Sequence, residues 1–432
     1  MKFRAKSSFI AAALVIAAVV NASHAQQMSR GEYVARTANC VACHSVAGGA
    51  AFAGGLKMAT PIGAIYATNI TPDRETGIGA YTLDEFDRAV RRGIAKDGHH
   101  LYPAMPYPSY AKMTEGDIRA LYDFFMKEVA AVKAPNPPSE IKWPMNMRWP
   151  LSIWNALFVD FDRYVPRKDK DPEWNRGAYL VQGPGHCGAC HTPRGWASQE
   201  VALNDRSSSY LSGGVLDYWN AINLTADNNL GIGRWSEADV AEVLKTGRNK
   251  HTSIAGTMVE VVNNSTQFMS DSDIKAMAKY LKSLPSAMER GQVPWAYDAS
   301  ATDALSKRDT RAPGANTYAR HCASCHGNDG RGRPSNLPTL VGNPGVVQPD
   351  PVSVINVVLN GSARVVVNGV PDAYRMPQYR LTLKDNQEVA DVVNFVRNAW
   401  GNRGSKVTAN DVAAVRQHTD PSSDRVVVLR MK

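Results

Sequence analysis

The stretch "ANCVACHSVAG", residues 38–48, holds two cysteines three positions apart with a histidine directly after the second one. The pattern recurs in "GHCGACHTPRG", residues 185–195, and in "RHCASCHGNDG", residues 320–330. The chain has six cysteines, and the three copies use all of them. We therefore interpret the motif as one chemical device that the chain uses three times.

Paired cysteines serve as redox dithiols, zinc ligands, disulfides or attachment points for haem. A redox dithiol is usually single and does not need the histidine, and a zinc site usually needs two half-sites brought together. Cys-x-x-Cys-His is typical of covalent attachment of c-type haem, and disulfides or zinc remain the alternatives. The haem interpretation predicts three covalently bound haem c groups. Their thioether cysteines would be Cys40, Cys43, Cys187, Cys190, Cys322 and Cys325, and their proximal iron ligands His44, His191 and His326.

The first 25 residues are typical of a secretory signal peptide. Lys2, Arg4 and Lys6 precede an apolar run over residues 9–20, and residues 23–25 form a small-x-small cleavage site. The run is short for a membrane span, although a retained anchor is the alternative. We expect an exported protein on the periplasmic face of the bacterial inner membrane. The formal charge of +9 falls to +6 without these three cations. Haem propionates would offset most of that charge, so it does not indicate a nucleic-acid partner.

A longer repeat surrounds the first two motifs. "ATNITPDRETGIGAYTLDEFDRAVRRG", residues 67–93, matches "AINLTADNNLGIGRWSEADVAEVLKTG", residues 221–247, at a constant offset of 154 without a gap. An ungapped repeat of this kind indicates duplicated units. The third motif belongs to a more divergent unit that lacks this stretch.

Each unit shows helical patterns at both ends. Segments with Tyr33, Tyr179 and Tyr318 lead into the motifs. Thr114 and Ser270 each precede an aspartate by three residues and then an apolar run at helical spacing, which predicts capped closing helices. We therefore expect an all-α protein with three tandem domains, each with one covalent haem.

Composition sets the predicted boundaries. They are a leader at 1–25, domains at 26–132, 172–285 and 311–402, linkers at 133–171 and 286–310, and a polar tail at 403–432. The first linker contains "WPMNMRWPLSIWNALFVDF", which is rich in tryptophan and methionine. Packing between domains would explain these residues, and a docking surface for a partner or a membrane is the alternative.

The second axial iron ligand separates an electron carrier from a catalyst. Each unit offers a candidate methionine between the motif and the closing helix: Met105, Met258 and Met376. We predict these as the axial ligands, and Met opposite His raises the reduction potential. Met113 and Met269 are expected to be packing residues. Bis-histidine ligation through His99, His100 or His251 is the alternative.

The order of these features resembles that of class I cytochrome c domains. In that family a proline carbonyl usually orients the proximal histidine, which the resemblance assigns to Pro338 in "NLPTLVG" of the third unit. The second unit shows no counterpart.

Most of the chain resembles a narrower group, the trihaem cytochrome c subunits of bacterial membrane-bound dehydrogenases. The stretches "AFAGGLKMATPIGAIYATNITPDRETGIG", "WNALF", "GHCGACHTPRG" and "LTADNNLGIGRWS" carry this resemblance. It implies an electron-transfer subunit without catalytic residues, which serves a large flavin-, quinone- or molybdenum-dependent dehydrogenase acting on a sugar, sugar acid, alcohol or aldehyde. It also implies peripheral membrane association and an acceptor that is ubiquinone, a terminal oxidase or a soluble carrier. The alternatives are a multihaem enzyme with one open iron position and a free soluble carrier.

Overall fold

The computed structural model describes residues 28–287, 293–333 and 336–422. The predicted signal peptide lies outside these residues, as do parts of the second predicted linker and of the predicted tail. The described chain is mostly helical, as the sequence predicts. None of its helices is long and apolar enough to cross a membrane.

The first motif lies in a helical unit with its own apolar core. Its elements are α1 (Arg30–Thr37), α2 (Cys40–Cys43), β1 (Lys57–Thr60), β2 (Gly63–Tyr66), α3 (Leu83–Arg92), α4 (Tyr107–Tyr110) and α5 (Glu115–Lys127). A further helix, α6 (Pro150–Phe158), follows before the second unit.

The second and third motifs lie in two further units, each with a separate apolar core. The second unit contains α7 (Pro172–Gln182), α8 (Gly188–His191), β3 (Gly214–Leu216), β4 (Trp219–Ala221), α9 (Glu237–Thr246), β5 (Arg248–Asn249), β6 (Thr252–Ser253), α10 (Met258–Asn264), a 3₁₀ turn (Thr266–Phe268) and α11 (Asp271–Lys282). The remaining elements are α12 (Ser300–Ser306), α13 (Ala315–His321), α14 (Ala323–His326), α15 (Pro344–Val347), α16 (Val352–Asn360), β7 (Val366–Val367), β8 (Val370–Pro371), α17 (Asn386–Asn398) and α18 (Ala409–His418).

A glycine brings the leading helix of each unit against its closing helix. A Cβ on Gly31, Gly177 or Gly314 would overlap a backbone carbonyl oxygen of α5, α11 or α17, respectively. Only a residue without a side chain permits this close approach. The three motifs follow the leading helices directly. Each motif is therefore held next to a closely packed pair of helices.

Local sequence explains where the closing helices begin. The hydroxyl groups of Thr114 and Ser270 accept hydrogen bonds from the backbone amides three residues later, at 3.1 and 3.2 Å. These are the predicted N-caps. Within the described residues the chain also forms four short antiparallel hairpins, β1–β2, β3–β4, β5–β6 and β7–β8, which the sequence did not predict and which close loops between helices. Their strands are two to four residues long, too short for an alternation pattern to be read from sequence.

The first two units meet through a reciprocal pair of hydrogen bonds. Tyr33 of α1 donates its hydroxyl to Asp273 of α11 at 2.6 Å, and Tyr179 of α7 donates to Asp117 of α5 at 2.5 Å. Asp117 and Asp273 are also the residues whose backbone amides donate to the N-cap hydroxyls of Thr114 and Ser270. Equivalent positions of the duplicated units therefore contact each other across an approximate two-fold arrangement.

The second unit also contacts the third. The backbone N–H of Asn220 donates to the Ser353 hydroxyl at 2.6 Å, and the side-chain amide of Asn356 donates to the backbone carbonyl of Tyr218 at 3.0 Å. Arg248 and Asp372 form an ion pair across the same boundary. The second unit thus lies against both of its neighbours.

Among the described residues, the helices α6, α12 and α18 lie outside the predicted domains. Residues 409–418, which we expected in a polar tail, form α18, whose Val412 and Val415 are buried in the third core. Arg416 of α18 donates to the carbonyls of Arg380 and Leu383, both at 2.8 Å. The apolar face of α18 is too narrow to stand out in a polar sequence, because only two valines carry it.

Candidate functional site

A single helical turn shapes each motif. Cys40 and Cys43 are the first and last residues of α2, while α8 and α14 end at His191 and His326. Residues three apart lie on the same face of a helix. Each pair of sulfurs is therefore presented on one side, with the histidine directly after the pair.

All three histidines are oriented by a backbone carbonyl. Nδ1 of His44 lies 2.7 Å from the carbonyl oxygen of Thr68, and Nδ1 of His191 lies 2.7 Å from that of Ile222. Nδ1 of His326 lies 3.1 Å from the carbonyl oxygen of Pro338. A proton on Nδ1 leaves the lone pair of Nε2 free to bind a metal. Burial also lowers the pKa of each imidazole, which favours the neutral form that a metal requires.

The Pro338 contact confirms the expectation for the third unit, and the other two carbonyls were missed. The signal for them is present in the sequence, because Thr68 and Ile222 are equivalent positions of the ungapped repeat, 222 − 68 = 154. The first two units use this repeated loop where the third uses proline.

The six cysteine sulfurs are unpaired, so the structure does not favour disulfides. Burial raises the pKa of the Cys40, Cys187 and Cys322 thiols to about 12. A zinc site needs thiolates, and the described residues contain no group of three or more His, Cys, Asp or Glu side chains that could hold a metal ion. Two cysteines and one histidine per motif, without a further ligand group beside them among the described residues, favour thioether formation with haem vinyl groups over zinc binding.

The second and third motifs open into one continuous cavity of about 410 Å³. Its lining includes Cys187, Cys190, His191, Met258, Cys322, Cys325, His326 and Met376. The structure thus brings the predicted ligands of these two units together around one space. Thr37 at the end of α1 and Asn39, directly before the first motif, also line this cavity.

The predicted axial methionines differ in their surroundings. Met258 and Met376 line the cavity, whereas Met105 packs against the apolar core of the first unit, outside the lining of that cavity. Met113 is fully buried in that core, as expected for a packing residue. Met269 is 3 % exposed in the second core, but it also lines the cavity. Met277 of α11, 2 % exposed, lines the cavity as well, so the second unit presents three methionine thioethers to it, of which Met258 is the least buried.

The polar groups of the cavity suit a haem with carboxylate side chains. The indole nitrogen of Trp235 is buried without a hydrogen-bond partner, and Trp235 lines the cavity. An unpaired buried donor is costly, so this group fits an acceptor supplied by a ligand. Arg248 and Arg375 also line the space, and Asp372 is paired with Arg248. A largely apolar cavity with a few donors at its edge is what a c-type haem requires.

The first motif lies near the second unit. Desolvation by the surrounding protein, together with the nearby Glu260 carboxyl and Cys190 thiol of the second unit, raises the pKa of the Cys43 thiol to about 11. Burial also raises the pKa of the Glu260 carboxyl. Cys43 and Cys190 occupy equivalent positions in their motifs, so the first two motifs approach each other at equivalent points.

The three competing histidines do not line the cavity. His99 is partly exposed, and its Nδ1 lies 2.5 Å from Asp97. The backbone carbonyl of His100 accepts a hydrogen bond from Arg148 at 3.0 Å. His251 stacks on Trp235, with ring centroids 5.5 Å apart. This arrangement does not favour bis-histidine ligation in the second or third unit.

In each unit a leading helix packs against a closing helix, and a Cys-x-x-Cys-His motif lies between them in the chain. This arrangement defines a c-type cytochrome. In agreement, the family model for cytochrome c matches residues 28–128 and 312–400, which contain the first and third motifs. The second motif lies between these two matched ranges.

Several relatives match most of the chain. The gluconate 2-dehydrogenase cytochrome c subunit of Pantoea cypripedii is 52 % identical over 90 % of this chain and 89 % of its own length. The cytochrome c subunit of the quinone alcohol dehydrogenase of Komagataeibacter europaeus is 49 % identical over 92 % of this chain and 85 % of its own. The fructose dehydrogenase cytochrome subunit of Gluconobacter japonicus is 38 % identical over 91 % of this chain and 83 % of its own length. The chain belongs to the cytochrome c family, in the group of dehydrogenase cytochrome c subunits.

Proposed function

We propose that this protein is the electron-transfer subunit of a dehydrogenase complex. It is built of three tandem class I cytochrome c domains and carries three covalent haem c groups. It passes electrons from a catalytic partner to ubiquinone or another respiratory acceptor and has no bond-making chemistry of its own. The relatives, which are named as cytochrome subunits of gluconate, alcohol and fructose dehydrogenases, support this function over a multihaem enzyme.

One observation carries the proposal. Three Cys-x-x-Cys-His motifs, each with its histidine Nδ1 held by a carbonyl, lie around a common region of the molecule. The second and third motifs share one cavity. Cys43 of the first motif lies near Cys190 of the second motif. Sites so close together suit electron transfer from one to the next.

The chain's own residues would bind and tune the cofactors. Each cysteine pair would hold one porphyrin through thioethers, and each histidine would bind iron through Nε2. We assign the second axial positions to Met105, Met258 and Met376. Haem iron supplies reversible one-electron exchange, and the axial ligand, burial and hydrogen bonds set its potential. Apolar residues around the cavity exclude water, and Trp235 would donate to a propionate.

The partner and the compartment are also proposals. We propose a large flavin-, quinone- or molybdenum-dependent dehydrogenase as electron donor, because the named relatives serve several different dehydrogenases. The leader-like residues 1–25 support export, with the complex on the periplasmic face of the inner membrane.

Reduction of the protein by a dehydrogenase tests the proposal. The holoprotein should be reduced by a purified dehydrogenase catalytic subunit and its substrate, and should then reduce a soluble ubiquinone analogue. The substrate without the dehydrogenase subunit should reduce none of the haem. Direct oxidation of the substrate by this chain alone would contradict an electron-transfer role.

A further inference from the structure

Helix α6 is unusual because its asparagine is buried while several of its large apolar residues face solvent. Asn155 is 5 % exposed and accepts a hydrogen bond from the Tyr107 hydroxyl at 2.6 Å. Trp149, Ile153 and Leu157 are 63, 53 and 68 % exposed. These three positions are spaced by four residues and so lie on one face. A surface helix normally has the opposite arrangement.

Neighbouring side chains extend this exposed apolar surface. Trp143 and Met145 precede the helix and are 77 and 52 % exposed. On a loop of the second unit, Trp196 is 89 % exposed, and its ring contacts that of Phe158 at the end of α6, with centroids 6.1 Å apart. We call this surface the aromatic face, and it consists of Trp143, Met145, Trp149, Ile153, Leu157 and Trp196. Contiguous exposed apolar surface of this kind marks an interaction site.

The aromatic face is fixed to the first unit beside a predicted axial ligand. The Tyr102 hydroxyl donates to the Met145 carbonyl at 3.0 Å, and Arg148 lies 3.8 Å from the centroid of the Tyr102 ring. Tyr102 in turn accepts a backbone hydrogen bond from Met105 at 3.2 Å. The face is therefore held firmly against the loop that carries Met105.

Its chemistry matches a lipid surface. Three of the six side chains are tryptophans, whose rings with an apolar body and a polar N–H favour the headgroup level of a bilayer. Residues 141–159 contain Lys142 and Arg148 but no Asp or Glu, so the segment has a charge of +2. Lysine is depleted at the core of protein interfaces, whereas basic residues beside Trp and Leu are typical of helices that lie on anionic membranes.

We infer that the aromatic face docks the protein on the anionic surface of a phospholipid bilayer. The inference rests on the proposed function, since a bilayer-bound first unit would meet a lipid-soluble quinone directly. The dehydrogenase partner would then bind elsewhere on the molecule.

Vesicle binding of the haem-loaded mature chain tests this inference. Co-sedimentation is measured with vesicles of phosphatidylglycerol and phosphatidylethanolamine, and with vesicles of phosphatidylcholine alone. We expect Trp143→Ser, Trp149→Ser and Trp196→Ser together to weaken binding to the anionic vesicles at least about tenfold. Lys142→Ser alone should weaken it about fivefold.

A matched control removes exposed apolar side chains in and just before the third unit, outside the cavity lining. Val293, Val370 and Leu381 are 62, 69 and 75 % exposed, and their combined replacement by serine should leave vesicle binding unchanged. Equal losses in both triple variants, or full vesicle binding by the tryptophan variant, would overturn the inference. A tryptophan variant that keeps vesicle binding and loses only its binding to a purified dehydrogenase subunit would also overturn the inference. Haem content and reduction by that subunit, measured on the same samples, report separately on the proposed function.

Discussion

Replacing Met258 and Met269 one at a time distinguishes an iron ligand from a packing residue in the second unit. Both side chains line the cavity, but they differ in burial, since Met269 is 3 % exposed and Met258 is only partly buried. If Met258 binds iron, Met258→Ala opens one coordination position per chain. If Met269 only packs, Met269→Ala leaves every iron closed and creates a cavity.

The expected magnitudes follow from these surroundings. Truncating a fully buried methionine to alanine costs about 2–5 kcal/mol. For Met269→Ala this corresponds to a melting temperature lower by about 10 °C or more. Met258→Ala should cost roughly half as much or less, because part of its side chain is already exposed.

Carbon monoxide binding and thermal unfolding together give the readout. The reduced Met258→Ala protein should bind one carbon monoxide per chain with a small loss of stability. The reduced Met269→Ala protein should bind none and should unfold at a clearly lower temperature. Carbon monoxide uptake by the Met269 variant, or its absence from the Met258 variant, would refute the assignment of the ligand.

Three further predictions concern the frame around the sites. Gly177→Ala should lower the free energy of unfolding by about 1–3 kcal/mol, because its Cβ overlaps the backbone of α11. In contrast, Gly116→Ala meets only a flexible arginine side chain and should be neutral or stabilising in denaturant titrations. Tyr179→Phe should cost about 1.5–3 kcal/mol through its lost bond to Asp117, and an unchanged unfolding midpoint would contradict the reciprocal interface. Burial raises the pKa of Glu200 from 4.5 to about 7, so the folded state holds a proton that the unfolded chain releases. Stability should therefore fall as the pH rises from about 4.5 to 7, and Glu200→Gln should flatten this dependence in thermal melts across that range.

Much of the frame could be predicted because it depends on local patterns. The leading helices and the caps at Thr114 and Ser270 follow from residue types at fixed spacing. The histidine contact of Pro338 was expected from the resemblance to class I cytochrome c domains. The contacts of His44 and His191 could have been found as well, since their acceptors occupy matching positions of the 154-residue repeat.

Other features depend on contacts between distant segments, which spacing alone does not indicate. The reciprocal bonds of Tyr33 and Tyr179 join residues 240 and 62 positions away, respectively. The shared cavity of the second and third motifs arises only when the two units pack. Helix α6 was hidden for a different reason, because its exposed apolar face suggests burial when only the sequence is read.

The number of covalently bound haems tests the central claim most directly. The mature protein, produced in a host that attaches c-type haem, should give three haems per chain in a pyridine haemochrome assay. Changing both cysteines of any one motif to alanine should lower that number to two. Fewer than three in the unmodified protein, or a number that does not change when a motif is removed, would contradict the account.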